Sequence, residues 1–313
     1  MPTKSKTPAP IYPGQTASEA FATILQHNLD YMLQWEQTAR SWEDIEGVHQ
    51  VRVSLRRVRS AITLFRPAIP KNVTKTWRKE LQWVSGQLGL ARDLDVFIDE
   101  GLSAIEGKFP FKGEKKLMTL ARAHREKAYK EQVCAMLESE RYAHFKNDFM
   151  NWALERGWEK DELEEKERHN QQMGLVQFAR NLLDKQERVV LKAGSRIDRK
   201  SPEQMHRLRI ECKKLRYAAD FFQPLFNGVS EFVGYLKGIQ DILGVMNDVS
   251  IMHQLLEVLL EDTSDHELLE YAGALVGWRT CQFYYLMNGF DVCWDEFTEA
   301  THPWWKKSAL RET

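Results

Sequence analysis

The sequence predicts an all-α protein made of two four-helix halves that derive from one duplicated unit. Three observations carry this. Apolar residues recur at helical spacing from Ala17 onward, as in Phe21, Ile24, Leu25, Leu29, Tyr31 and Met32. No segment shows the alternating β-branched pattern of a half-buried strand. Two distant stretches are alike: VHQVRVSLRRVRSAITLF at 48–65 and MHRLRIECKKLRYAADFF at 205–222, offset by 157 positions without a gap.

Turn signals divide the chain into helices in order. A first helix over about 17–42 stops before Gly47. A second, about 48–66, ends at Arg66-Pro67, and the turn runs to Pro70-Lys71. A third covers about 73–103, and Gly107 to Gly113 separate it from a fourth over about 113–157. A fifth, about 160–193, closes at Gly194. Ser201-Pro202 opens a sixth over about 203–224, which ends at Pro224. Asn227-Gly228 precedes a seventh, about 229–261, and an eighth spans about 264–300. The halves are then 17–157 and 158–313, preceded by a disordered tail at 1–16. That tail is rich in Pro, Lys and Thr and lacks the apolar core of a signal peptide.

Hydrophobic residues make up 43% of the 313, enough for a sizeable core. Lys and Arg number 44 against 45 Asp and Glu, a net charge of -1, so any basic site must be local. No stretch is read as approaching the ~20 apolar residues that span a bilayer, and no membrane partner is expected. Cys134, Cys212, Cys281 and Cys293 are scattered, which suits a reduced, cytoplasmic setting. Residues 155–168 carry seven acids and four bases and read as a solvated helix or linker between the two halves. They contain Glu162-x-Glu164-x-Lys166, the spacing of triphosphate-tunnel enzymes, but no strand surrounds it and the match is rejected.

The repeat carries the chemistry. His49 aligns with His206, Arg52 with Arg209, Arg56 with Lys213, Arg57 with Lys214, Arg59 with Arg216 and Phe65 with Phe222. Further on, LGLARD at 88–93 resembles LGVMND at 243–248. On a helical wheel with Val48 at zero, Val48, Val51, Leu55 and Val58 fall at roughly 280–360° and form a core seam. His49, Arg52, Arg56 and Arg59 fall at roughly 20–100°, beside that seam rather than opposite it. Met205, Leu208, Cys212 and Leu215, and then His206, Arg209, Lys213 and Arg216, repeat both arcs. Clustered cations with no acid at 48–66 repel one another, and partial burial makes this costlier. An anion would complete the arrangement. Arg offers a planar fork for phosphate oxygens, Lys a point charge, and His a proton taken up more readily beside an anion. At i, i+3, i+7 and i+10 the stripe is about 15 Å long, a track for several phosphates in a row.

The paired H-x-x-R-x-x-x-(R/K)-(R/K)-x-R helices, each followed by LG-x-x-(R/N)-D, resemble the CHAD domain, the conserved histidine α-helical domain. The resemblance spans roughly residues 17–300. It implies two four-helix bundles related by pseudo-twofold symmetry and a basic central groove or pore that binds inorganic polyphosphate without catalysis. It implies His49, Arg52, Arg56, Arg59, His206, Arg209, Lys213 and Arg216 as ligands. Arg57 and Lys214 lie further outward, and Arg92 and Lys237 are additional candidates; Asn247 stands opposite Arg92 in the second copy. Cytoplasmic polyphosphate granules are the location this implies. The chain lacks room for a triphosphate-tunnel domain beside the helices, so no catalysis, metal or cofactor is expected. Asp93 and Asp248 read as caps or as partners that hold an Arg. The competing readings are a nucleic-acid scaffold, an acidic-protein scaffold and a metal-dependent phosphohydrolase with His49 and His206 as ligands or bases. Cations around each His argue against the last. The ten tryptophans, including Trp304-Trp305, fall mostly at core spacing or near the termini, which disfavours base stacking.

Overall fold

The computed structural model describes residues 8–305 apart from 200, 262 and 301. Among the described residues the architecture is helical throughout, with a single β-type bridge between Thr16 and Gly174.

Helix α1 (Ala17–Ser41) begins with a capping box: Glu19 accepts the Thr16 amide at 2.9 Å, and Thr16 accepts the Glu19 amide at 3.3 Å. Its apolar face, from Phe21 through Met32, is buried. Helix α2 (Glu46–Leu64) returns along α1. Gly47 is the point of closest approach: a Cβ there would lie 2.4 Å from the Ala39 backbone nitrogen, so only glycine fits. Helices α3 (Lys75–Gln87) and α4 (Gly89–Val96) follow with a kink at Leu88, then a π-helical turn over Phe97–Leu102. Helix α5 (Glu114–Ala128) runs through a second π turn into α6 (Ala135–Glu138), and α7 (Glu140–Leu154) follows.

The second half contains α8 (Glu165–Gln172), α9 (Leu175–Gly194), α10 (Pro202–Phe222), α11 (Val229–Leu259), α12 (His266–Met287) and α13 (Phe290–Glu299). Ser201 caps α10 by accepting the Gln204 amide, with Pro202 in the first turn, as the sequence signals. Gly228 enters α11 at φ 83, a left-handed value that favours glycine.

The structure divides several helices that the sequence joins. The expected helix over 113–157 breaks at Ser139, which turns extended and caps α7 through the Tyr142 amide at 3.2 Å. The one over 160–193 breaks at Met173-Gly174. There the Ala17 amide donates to Met173 O at 3.0 Å and the Leu175 amide to Gln15 O at 2.8 Å. Those long-range bonds replace helical ones. The one over 264–300 breaks at Asn288-Gly289.

Three further expectations are corrected. The tail is packed from residue 8: Ala9 and Ile11 are buried in the core, while residues 1–7 lie outside the described residues. The acidic linker is anchored by Trp158, fully buried, whose indole donates to Ser18 Oγ at 2.7 Å. Glu164 caps α8 and Lys166 lies inside it, so neither belongs to a strand. Finally, α11 is long and apolar enough to cross a membrane by length and composition. Here it packs against α10, α12 and α13.

Helix α1 packs on α2, α9 on α10, and α2 meets α10 directly. The aligned residues Phe65 and Phe222 touch there, with ring centroids 6.0 Å apart. Phe21 and Phe178 close on Phe65 at 5.2 and 5.1 Å. This buried aromatic cluster fixes how the two basic helices face each other.

Candidate functional site

The core seams of α2 and α10 set the direction of the basic side chains. Val48, Val51, Leu55 and Val58, and Met205, Leu208, Cys212 and Leu215, are all buried. The cations beside each seam are therefore held at the helix–helix margin, where the wheel places them.

A cleft of about 290 Å³ opens between the two helices. Arg56, Arg59 and Thr63 line it from α2; Arg209, Lys213, Lys214 and Tyr217 line it from α10. Both stripes thus contribute to one cavity. Burial comes first among the causes that push the Lys213 ammonium down to about 8, followed by Arg209, by Arg56 across the cleft, and by Arg216. None of Arg56, Arg59 and Lys213 forms an ion pair with a carboxylate among the described residues.

The Arg52 end differs. Arg52 lies 4.0 Å from Asp93 and donates to Ser85 O at 3.4 Å, while its buried Nε finds no acceptor. Asp93 and Asp248, aligned acids of the two copies, meet in a hollow of about 180 Å³ with Glu100 and Arg279. Burial raises the pKa of Asp93 against the opposing pull of Arg52. His49 is half-buried, and burial, then Arg92, push its imidazole down to about 4; Glu46 opposes them, and Arg56 and Arg52 reinforce them. Free of ligand, His49 is neutral at physiological pH.

The other sequence-predicted residues are placed unequally. Arg216 has a buried Nε without an acceptor, and its guanidinium lies 5.8 Å from the Tyr217 ring centroid. Arg92 sits close enough to His49 to hold its proton off. Lys214 lines the cleft but donates to Glu211 at 2.6 Å, and Glu211 also accepts from Gln186 on α9. Its charge is largely spoken for. His206 and Lys237 are exposed, Arg57 is half-buried, and none of the three lines the cleft. Among the described residues, no group of three His, Cys, Asp or Glu is gathered to hold a metal. Trp304 is buried and donates to Asp184 at 2.8 Å, whereas Trp305 is exposed.

One feature escaped the sequence. A second hollow, about 250 Å³, shares Arg59 and Thr63 with the cleft and adds Lys75, Arg78, Lys79 and Gln82 from α3. At the same offset as LGLARD and LGVMND, Lys75, Arg78 and Lys79 align with Ser230, Val233 and Gly234, so the repeat could not flag them. The i, i+3, i+4 spacing of these three cations was the available signal.

Comparison with solved structures places the fold. The crystal structure of the CHAD domain from the plant Ricinus communis matches with a TM-score of 0.80 at 24% identity, covering 96% of this chain and 99% of that one. PptA from Streptomyces chartreusis matches with a TM-score of 0.62 at 15% identity, covering 90% of this chain and 100% of that one. No curated protein sequence matches. The family model described as the CHAD domain matches residues 23–257, well over half of the chain. An all-helical chain with that match over both basic helices belongs to the CHAD domain family.

Proposed function

We propose that this protein binds a linear polyanion, inorganic polyphosphate, in the cleft between α2 and α10, and acts by binding rather than turnover. The observation that carries the reading is one cavity lined by Arg56 and Arg59 from one helix and Arg209 and Lys213 from the other, with no carboxylate among the described residues in an ion pair with Arg56, Arg59 or Lys213. Such an arrangement is unfavourable empty, because like charges repel and partial burial strengthens the repulsion. A chain of phosphates supplies several anionic oxygens at once and removes that cost. A cytoplasmic site of action at polyphosphate granules goes with this proposal.

Nucleic acid is the second reading, since its backbone offers the same charge. Among the described residues only Tyr217 lines the cleft as an aromatic, so successive bases have little to stack on. The test is titration with polyphosphate of several lengths against single-stranded DNA, matched in charge and salt. We expect tighter binding to polyphosphate, increasing with length and falling steeply with salt. Equal affinity for DNA would overturn the ligand assignment, and metal-dependent turnover of polyphosphate would overturn the binding-only assignment.

A pH dependence follows from His49. Its free imidazole is held at about 4 by burial and Arg92. Phosphate charge placed nearby favours the protonated form and raises that value. Binding then takes up a proton, so affinity rises as pH falls through the raised bound value and levels off below about 4. Calorimetry in buffers of different ionisation enthalpy measures the uptake. His49→Gln should abolish most of it; uptake unchanged in that variant would remove His49 from the site.

A further inference from the structure

We infer that the ligand track continues beyond the α2–α10 cleft onto α3, where Lys75, Arg78 and Lys79 form a second seat for the same linear polyanion. This rests on the polyphosphate reading and adds a direction and a length dependence to it.

The two cavities adjoin, since Arg59 and Thr63 line both. Lys75, Arg78 and Lys79 share one face of α3, and none makes an ion pair among the described residues. The neighbouring acid, Glu80, is occupied by Arg141 through bonds of 2.9 and 3.1 Å. Arg66, just after α2, feels Arg78, and its buried Nε has no acceptor. Among the described residues Lys75, Arg78 and Lys79 are therefore without an ion-pair partner, like Arg56, Arg59 and Lys213 in the cleft.

The opposite end is mixed in charge. Arg52 precedes Arg59 by about 10 Å along α2 at ~1.5 Å per residue. At the Arg52 level the neighbouring hollow is lined by three carboxylates, Asp93, Glu100 and Asp248, against one cation, Arg279. A polyanion seated on Arg56 and Lys213 meets carboxylates in one direction and α3 in the other. It extends over α3. A short phosphate chain fills the cleft alone, and only a longer one reaches Lys75, Arg78 and Lys79.

The test compares tripolyphosphate with long-chain polyphosphate on the full chain and on the Lys75→Ala, Arg78→Ala, Lys79→Ala triple variant. All three side chains are exposed, so the variant should fold normally, which circular dichroism checks. Tripolyphosphate affinity should stay within about twofold, while long-chain affinity should fall about tenfold or more. The slope of log affinity against log salt should become shallower by about 2 for the long chain. A control variant with Lys185, Arg188 and Lys192 of α9 changed to Ala loses the same charge elsewhere and should bind both ligands normally. Equal losses for both lengths, no loss for the long chain, or an equal loss in the control would overturn the inference. If the unmodified protein binds neither polyphosphate, the functional reading itself fails.

Discussion

Replacing Arg56 and Lys213 together by alanine will weaken polyphosphate binding by about 100- to 1000-fold and leave the protein at least as stable as before. Each charge-assisted bond contributes roughly 1.5–3 kcal/mol, and two lost together near the lower end of that range, about 3–4 kcal/mol, convert to that factor. The stability half of the prediction is the more diagnostic. Burial and neighbouring cations hold the Lys213 pKa at about 8, below its ordinary value of 10.5. A lowered lysine pKa means that the unfolded chain binds the proton more tightly than the folded one. The charged side chain therefore costs stability below pH 8, and that cost fades as pH rises from about 8 to 10.5. Removing Lys213 relieves it. A gain in melting temperature at pH 7, together with lost binding, is the signature of a residue kept for its ligand. Unchanged binding in the double variant would mean that the cleft is not the seat. Arg52 is a less clean target, because its loss also strands Asp93.

The largest expected effect on folding lies away from the cleft, at Asp95. Its carboxylate is buried, accepts from Arg125 Nε at 2.6 Å and accepts from the Tyr129 hydroxyl at 2.7 Å. Arg125 also donates to Trp42 O at 3.1 Å, so the network ties α4 and α5 to the end of α1. Burial raises the Asp95 pKa, opposed by its bonds to Tyr129 and Arg125. Such a pair is a weak source of net stability, but breaking one side is costly because the other is left without its partner. Asp95→Ala should destabilise the protein by about 3–5 kcal/mol in urea unfolding. Asp95→Asn keeps an acceptor for the tyrosine and should cost about half as much. Asp95→Leu combined with Arg125→Met should recover much of the loss, since no charge is then stranded. An Asp95→Ala midpoint equal to that of the unmodified protein would refute the network's role.

Much of the site was legible because it is written locally. A stripe at i, i+3, i+7 and i+10 beside an apolar seam can point in only one direction once the seam is buried, and a second copy with the same offsets strengthens the case. The breaks at Ser139 and Met173-Gly174 were not legible. Their helical bonds are replaced by a side-chain cap in one case and by a segment more than 150 residues away in the other. The same holds for Ala9, Ile11 and Trp158, whose burial depends on where distant helices leave room.

The amino-acid order alone determined the helical class, the two basic stripes and the side of each helix on which they lie, because those follow from a repeat of 3.6 residues per turn. Only the tertiary structure decided which cations share a cavity. It set Arg56 opposite Lys213, placed Asp93 beside Arg52, tied Lys214 to Glu211 and brought α3 alongside Arg59. Charge interactions depend on distance through space and on exclusion of water, and neither is encoded by spacing along one helix.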